Sequence, residues 1–423
     1  MMDEKQNKID RRNFLKTVGT AGLASAFVGA KNVFASDQTK GGTCEPNSTD
    51  PNAAGKSQKT DFPQVPKRKL GKTGVEVSCL SLGTMFDVVE NQLILRKALQ
   101  YGVTYWDTAY SYEGGNSELG IGKFLSNNPQ VRKKLFIATK ASGAENIEGV
   151  EERLQTSLKR MNTDYIDLYH GVHILSNPAQ LTDELRKWAE SAKKRKLIRF
   201  FGFSTHSNMP QCLTAAAKLG WIDAIITSYN FRIMDDPQLQ DAIEACHKAG
   251  IGLVAMKTQG KKIEAGEDKK LTEHFLKRGF TEGQAKIKAV LEDKRISSAC
   301  VGRGNIAHFT LNIDAVLDKT KLTQADMDVF KEYAQVTCDG YCAGCAHICD
   351  LALPDTPYVS DVMRYLMYYN SYGEQDAARE LFAQIPVSVK DRLLRTDYSL
   401  AEARCPQRLP IGRLVAEAVS KLA

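Results

Sequence analysis

From Lys67 onward, short apolar runs alternate with amphipathic stretches in a regular order. Eight runs stand out: "VSCLSLGT" (77–84), "VTYWDTA" (103–109), "LFIATK" (135–140), "DYIDLYHGVH" (164–173), "LIRFFGFS" (197–204), "DAIITSYN" (223–230), "GIGLVAMK" (250–257) and "ISSACVG" (296–302). Each is short and apolar without strict alternation, the pattern of a strand covered on both faces. Between them, "EERLQTSLKRMN" (151–162) and "QLTDELRKWAESAKKRK" (180–196) carry apolar positions at helical spacing. Eight such units in about 250 residues predict an α/β protein built as a (β/α)8 TIM barrel over 67–322, with an open doubly wound sheet as the alternative. Chemistry in such barrels sits at the C-terminal ends of the strands.

On either side of the repeat the pattern changes. Residues 1–35 begin charged, pass through "RRNFLK" at 11–16 and fourteen uncharged residues between Lys16 and Lys31, and end in "VFAS", small residues suited to cleavage after Ala35. Fourteen residues fall short of the roughly 20 that span a bilayer. The segment resembles a twin-arginine export signal through Arg11, Arg12, Phe14, Leu15 and Lys16, with Asp10 where Ser or Thr is common. The alternative is a chance arginine pair on an apolar helix. An export signal of this type implies a periplasmic protein that crosses already folded, with no stable membrane anchor. Residues 36–66 hold one aromatic among many Ser, Thr, Gly, Pro and Asn, and read as a disordered linker. Lone Cys44 lies there without a small-residue lipobox before it.

Residues 323–423 read as a small, mostly helical domain, with helical patterns in "LTQADMDVFKEYAQVT" (322–337), "VSDVMRYLMYYNSYG" (359–373) and "AARELFAQI" (377–385). Their aromatic stripe reads as core. With 423 residues and 43% apolar content, one large domain plus an appendage fits. The net charge of +7 falls to about +4 without residues 1–35, which hold six Lys/Arg against three Asp/Glu. No basic run is interleaved with aromatics, so nucleic acid is not an expected partner. Five of the ten cysteines fall in the last fifth of the chain, which argues against a chain-wide disulfide framework. Four of those lie in "CDGYCAGCAHIC" (338–349), a spacing open to a zinc site, a disulfide knot or an iron–sulfur site.

The second strand ends in "WDTAYSYEGGNSELG" (106–120) and the third in "ATK" (138–140). With "LGKTGVEVSCLSLGTM" (70–85), these residues resemble the aldo/keto reductase family over Arg68 to Asn312. The resemblance implies a carbonyl or alcohol oxidoreductase acting on a small substrate, with a tetrad of Asp107, Tyr112, Lys140 and a histidine ending the fourth strand. The chemistry accounts for these residue types. Hydride reaching a carbonyl carbon leaves an alkoxide that needs a proton, and a phenol of pKa about 10 is a poor acid unless a cation steadies its phenolate. Lys140 supplies the charge and Asp107 keeps it oriented. The family pattern Asp-Leu-Tyr-x-x-His falls on Val172, with His170 and His173 on either side. His170 keeps the strand parity; His173 requires one extra residue within "LYHGV" and is preferred, because the polar stop and Asn-Pro helix start in "ILSNPAQL" follow it directly.

The resemblance further implies NADP(H), contacted by Gly83, Thr84, Ser204, Thr205, Met256, Lys257, Arg303 and Asn312. Departures are visible: Met256 stands where relatives stack an aromatic on the ring, the strand-six glutamine is absent, and no Lys-Ser pair follows strand eight. The tail resembles the ferredoxin-like domain attached to some aldo/keto reductases. That resemblance assigns Cys342, Cys345, Cys349 and Cys405 to one [4Fe-4S] cluster, with Cys338 spare. The fourth place of the first motif is Leu353, followed by Pro354, and Arg395, Tyr398 and Ala401 fill the first three places of the second. Two functional readings follow. One is an exported oxidoreductase whose cluster relays electrons, with a possible redox partner protein, or staples the C-terminal domain. The other is an electron-transfer or binding protein that keeps the barrel as a scaffold.

Overall fold

The computed structural model describes residues 62–260, 269–302, 305–336, 341–356, 358–372, 374–405 and 407–423. Residues 1–61, which include the arginine pair, Cys44 and most of the stretch read as a linker, lie outside the described residues, as do Arg303, Cys338 and Pro406. Residues 59–423 form one compact unit.

A short antiparallel hairpin, β1 (Lys67–Lys69) and β2 (Glu76–Ser78), precedes the barrel and lowers Leu70 and Val77 into its interior. Eight parallel strands then close on themselves: β3 (Leu80–Gly83), β4 (Tyr105–Asp107), β5 (Phe136–Lys140), β6 (Ile166–His173), β7 (Ile198–Thr205), β8 (Ala224–Ser228), β9 (Gly252–Met256) and β10 (Ile296–Val301), with β10 paired to both β9 and β3. This is the (β/α)8 barrel. Side chains of one parity, including Tyr105, Phe136, Leu168, Ile226 and Val254, fill the interior. Those of the other parity, including Trp106, Ile137, Tyr169, Phe201 and Leu253, pack outward. Both faces are apolar, so each run reads as continuous. Each fully buried side chain of this kind contributes about 1.5–3 kcal/mol.

Around the strands run α1 (Gln92–Gln100), α2 (Asn116–Asn127), α3 (Ile147–Arg160), α4 (Asp183–Lys194), α5 (Met209–Ala217), α6 (Pro237–Lys248), α7 (Lys269–Lys277), α8 (Glu282–Glu292) and α9 (Ile306–Leu317). Local chemistry fixes several starts: Asn146 accepts from the Gly149 amide ahead of α3, and Thr281 and Gln284 form a capping box on α8.

One irregularity matters for the site. Along β6 and β7, His170 pairs with Gly202, but Val172 pairs with Phe203 and His173 with Ser204, so Gly171 is the extra residue of a bulge. The shift falls inside "LYHGV", as the sequence pattern predicts. Glycine is required there because a Cβ would stand 2.5 Å from the Phe201 ring. Val172 is thereby turned outward, and His173 regains the parity of His170.

Beyond the barrel, α10 (Gln324–Val336) brings Phe330 and Tyr333 into a cluster with Phe231, Phe275 and Phe280. Among the described residues six further helices follow: α11 (Ala346–Ala352), α12 (Val359–Met367), α13 (Gln375–Ala383), α14 (Val387–Leu393), α15 (Ser399–Arg404) and α16 (Ile411–Leu422), with a π turn at Tyr368–Tyr372 after α12. This segment docks just past the ends of β7 and β8. The Asn208 amide donates to the Gly344 carbonyl at 2.5 Å, Asn230 Nδ2 donates to the Tyr341 hydroxyl at 2.8 Å, and the Ser207 and Ser360 hydroxyls pair at 2.9 Å. Gly344 has φ +80, and a Cβ on it would meet the His206 carbonyl oxygen at 2.3 Å. Among the described residues, no helix is long and apolar enough to cross a membrane.

Candidate active site

Asp107 ends β4 and Lys140 ends β5, two adjacent strands whose register brings the side chains together over the barrel interior. Lys140 Nζ donates to Asp107 Oδ2 at 2.6 Å and to the Thr108 carbonyl at 2.6 Å. The pair is almost fully buried, with side-chain exposures of 1% and 4%. Burial works against the ammonium, but the Asp107 carboxylate, Tyr112 and the hydrogen bond to Asp107 together outweigh it and raise the Lys140 pKa, so the lysine stays charged.

Tyr112 follows β4 on a tight turn in which Glu113 and Gly114 adopt positive φ. Lys140 Nζ lies 4.8 Å from the centre of its ring. Burial holds the phenol above its usual pKa, while the Lys140 charge pulls it down. The His173 ring meets Tyr112 edge-on, with ring centres 6.2 Å apart, and its Nδ1 pairs with the Ser142 hydroxyl at 2.6 Å. Burial, reinforced by Lys140, drives His173 well below the ordinary imidazole range, so the ring is neutral. Asp107, Tyr112, Lys140 and His173 are thus brought together at the C-terminal mouth. A charged lysine beside a phenol, facing a neutral imidazole, is equipped to give a proton to an oxyanion and to take one back.

Other residues hold this arrangement and were not legible as site residues. Arg160 donates to the Tyr110 carbonyl at 2.7 Å and to Glu118 at 3.2 Å, and the Tyr110 ring lies 4.4 Å from the guanidinium carbons of both Arg153 and Arg160. These contacts pin the turn that carries Tyr112. Ser142, two residues past Lys140, carried no signal beyond its strand-end position.

The model of the aldo/keto reductase family matches residues 80–333, more than half of the chain. The chain belongs to the aldo/keto reductase family. It is 31% identical over 225 residues to a probable aldo-keto reductase 1 of Glycine max, covering 48% of this chain and 62% of that one. It is 29% identical over 224 residues to the aldo-keto reductase yakc [NADP(+)] of Schizosaccharomyces pombe, covering 48% and 63%. With the L-galactose dehydrogenase of Arabidopsis thaliana, identity is 24% over 295 residues, covering 63% and 91%. Across the first four curated relatives the chain spans only 48% to 64% of their length. Among solved structures, the aldo-keto reductase AKR11C1 from Bacillus halodurans in its holo form shares the fold with a TM-score of 0.53 at 22% identity, covering 65% of this chain and 98% of that one. A thermostable aldo-keto reductase solved with the inhibitor epalrestat gives 0.52 at 24%, covering 64% and 100%.

Several side chains that the family resemblance assigns to the dinucleotide are engaged within the protein. Thr84 donates to the Asp107 carbonyl at 2.9 Å, Ser204 accepts from the Ile174 amide at 3.0 Å, and Thr205 donates to the Leu175 carbonyl at 2.6 Å. Asn312 accepts from Gln259 at 2.9 Å, and Lys257, at φ +55, hydrogen-bonds the Tyr368 hydroxyl at 2.8 Å. Met256 ends β9 half-buried, and Gly83 packs against Gly302, where a Cβ would stand 2.7 Å from the Gly83 oxygen. Thr84, Ser204, Thr205, Lys257 and Asn312 are thus each tied into the barrel mouth by an internal hydrogen bond.

Cys342, Cys345, Cys349 and Cys405 border one small cavity walled by apolar side chains such as Val359 and Met363. Burial raises the Cys345 thiol, and so does the proximity of the other three. Cys405, distant in sequence, therefore joins the other three in space. No group of His, Cys, Asp or Glu that could hold a metal ion stands out among the described residues.

Proposed function

We propose that this chain is an exported oxidoreductase that interconverts a small carbonyl compound and its alcohol. The observation that carries the reading is the buried Asp107–Lys140 pair beside Tyr112, faced by a neutral His173. Tyr112 gives its proton to the carbonyl oxygen, Lys140 steadies the phenolate that remains, and Asp107 holds Lys140 charged and oriented. His173, fixed by Ser142 at Nδ1, keeps its other ring nitrogen for the substrate oxygen. NADP(H) is the proposed hydride partner, in keeping with the NADP(+) designation of the fission-yeast relative; when bound it would supply or accept a hydride. Tyr112→Phe is expected to lower NADPH-dependent carbonyl reduction by about a hundredfold or more with an unchanged melting temperature, and undiminished turnover would defeat the tetrad assignment.

The second reading, a barrel kept as an electron-transfer or binding scaffold, is favoured by the internally engaged dinucleotide residues. Nucleotide released by heat from gently purified protein separates the two, because only the enzyme carries it. We further propose one [4Fe-4S] cluster on Cys342, Cys345, Cys349 and Cys405. The four thiols bordering one cavity support it, and the likeness of the tail to a ferredoxin-like domain favours a cluster over zinc. Export rests on the arginine pair: Arg11→Lys with Arg12→Lys keeps the charge, so the protein is expected to accumulate inside the cell, and normal export would point to another route.

A further inference from the structure

His206 follows β7 directly, and Lys257 follows β9 directly. The family resemblance gives these two strand ends to the nicotinamide ring, through Ser204 and Thr205 on one side and Met256 and Lys257 on the other. A side chain from the C-terminal segment stands between them. The Tyr368 hydroxyl lies 3.1 Å from His206 Nε2 and 2.8 Å from Lys257 Nζ. Its ring meets the His206 ring edge-on, and Lys257 Nζ is 4.2 Å from its centre. One turn earlier, Arg364 on α12 donates to the carbonyls of His206 at 3.2 Å and Cys342 at 3.3 Å, which fixes the helix end that delivers Tyr368.

We infer that Tyr368 decides whether the barrel mouth takes a nicotinamide dinucleotide: its phenol bridges the ends of β7 and β9, and the nicotinamide ring enters only when Tyr368 gives up His206 and Lys257. The inference rests on the proposed NADP(H)-linked reading of the same mouth. Both contacts of the hydroxyl must break, so the competent form is a minority and the apparent affinity falls in proportion to its population. Two hydrogen bonds of ordinary net strength correspond to about a tenfold to hundredfold weakening. The occupant is an aromatic ring with a polar edge, held by an imidazole and by the Lys257 amine, whose burial, reinforced by Arg364, lowers its pKa well below the ordinary lysine range. A nicotinamide ring with its carboxamide has the same character.

The test is a fluorescence titration of the full-length, iron-loaded protein with NADPH, comparing wild type, Tyr368→Phe and Tyr368→Ala, each checked for an unchanged far-ultraviolet spectrum. Tyr368→Phe removes both hydrogen bonds and keeps the ring; Tyr368→Ala also empties the space. The expected order is weak binding by the wild type, about tenfold tighter binding by the Phe variant, and tighter still by the Ala variant. Should the Ala variant fail to fold, the Phe variant alone carries the comparison. Equal, measurable affinity in wild type and variants overturns the role of Tyr368 and leaves the NADP(H) reading standing. Absence of NADPH binding in all of them overturns both.

Discussion

His170 is a fully buried imidazole beside the charged Lys140 on the neighbouring strand. Burial first, and then Lys140, lowers its pKa to about 3, against an ordinary value of 6.5. Between those values the unfolded chain binds a proton that the folded chain refuses, so stability is complete above about pH 6.5 and is lost as pH falls toward 3. The slope from this one group reaches at most about 1.4 kcal/mol per pH unit. His170→Leu is expected to flatten the decline in melting temperature between pH 6.5 and 4, and an unchanged decline would mean that the acid sensitivity arises elsewhere. At this scale Asp107, Tyr112 and Lys140 were legible, because a local run and two strand ends carry them. Tyr368 was not: its place in an aromatic stripe reads as core, and its partners lie more than a hundred residues away.

Among the elements, β6 shows how a single glycine sets the site. Without the extra residue at Gly171, the position next to Ser204 would be Val172, and His173 would turn outward. A methyl group there meets the ring of Phe201, whose centre lies 6.1 Å from that of Trp188 and 5.5 Å from that of Trp221. Gly171→Ala is expected to cost about 1–3 kcal/mol in urea unfolding and to lower turnover more than stability alone explains, because the bulge must shift to admit it. Loss of neither would show that the bulge tolerates a side chain. The eight strands were legible because both of their faces are apolar. The docking of the C-terminal helices was not, because it depends on backbone contacts such as that of Asn208 with Gly344, which leave no periodic trace in sequence.

For the whole molecule, the cavity bordered by the four thiols joins Cys405 to a motif 56 residues earlier in the chain, ending at Cys349. With a cluster bound there, Cys405→Ala is expected to lose the iron and its visible absorbance, and to loosen the C-terminal helices, because metal binding and folding are coupled. Cys338→Ala should keep iron near four atoms per chain, about the content of one cluster. The opposite pattern would move the site to the local cysteines and favour zinc. Tyr341, Gly344, Arg364 and Tyr368, which cover the ends of β7 to β9, all follow the last barrel strand in the chain. A ribosome working at about 5–20 residues per second therefore exposes a finished barrel with an open mouth for several seconds before its cover is made. During that interval a dinucleotide meets no Tyr368, and one captured then would be sealed in by the later helices, so the nucleotide content of the finished protein would record the conditions of its synthesis.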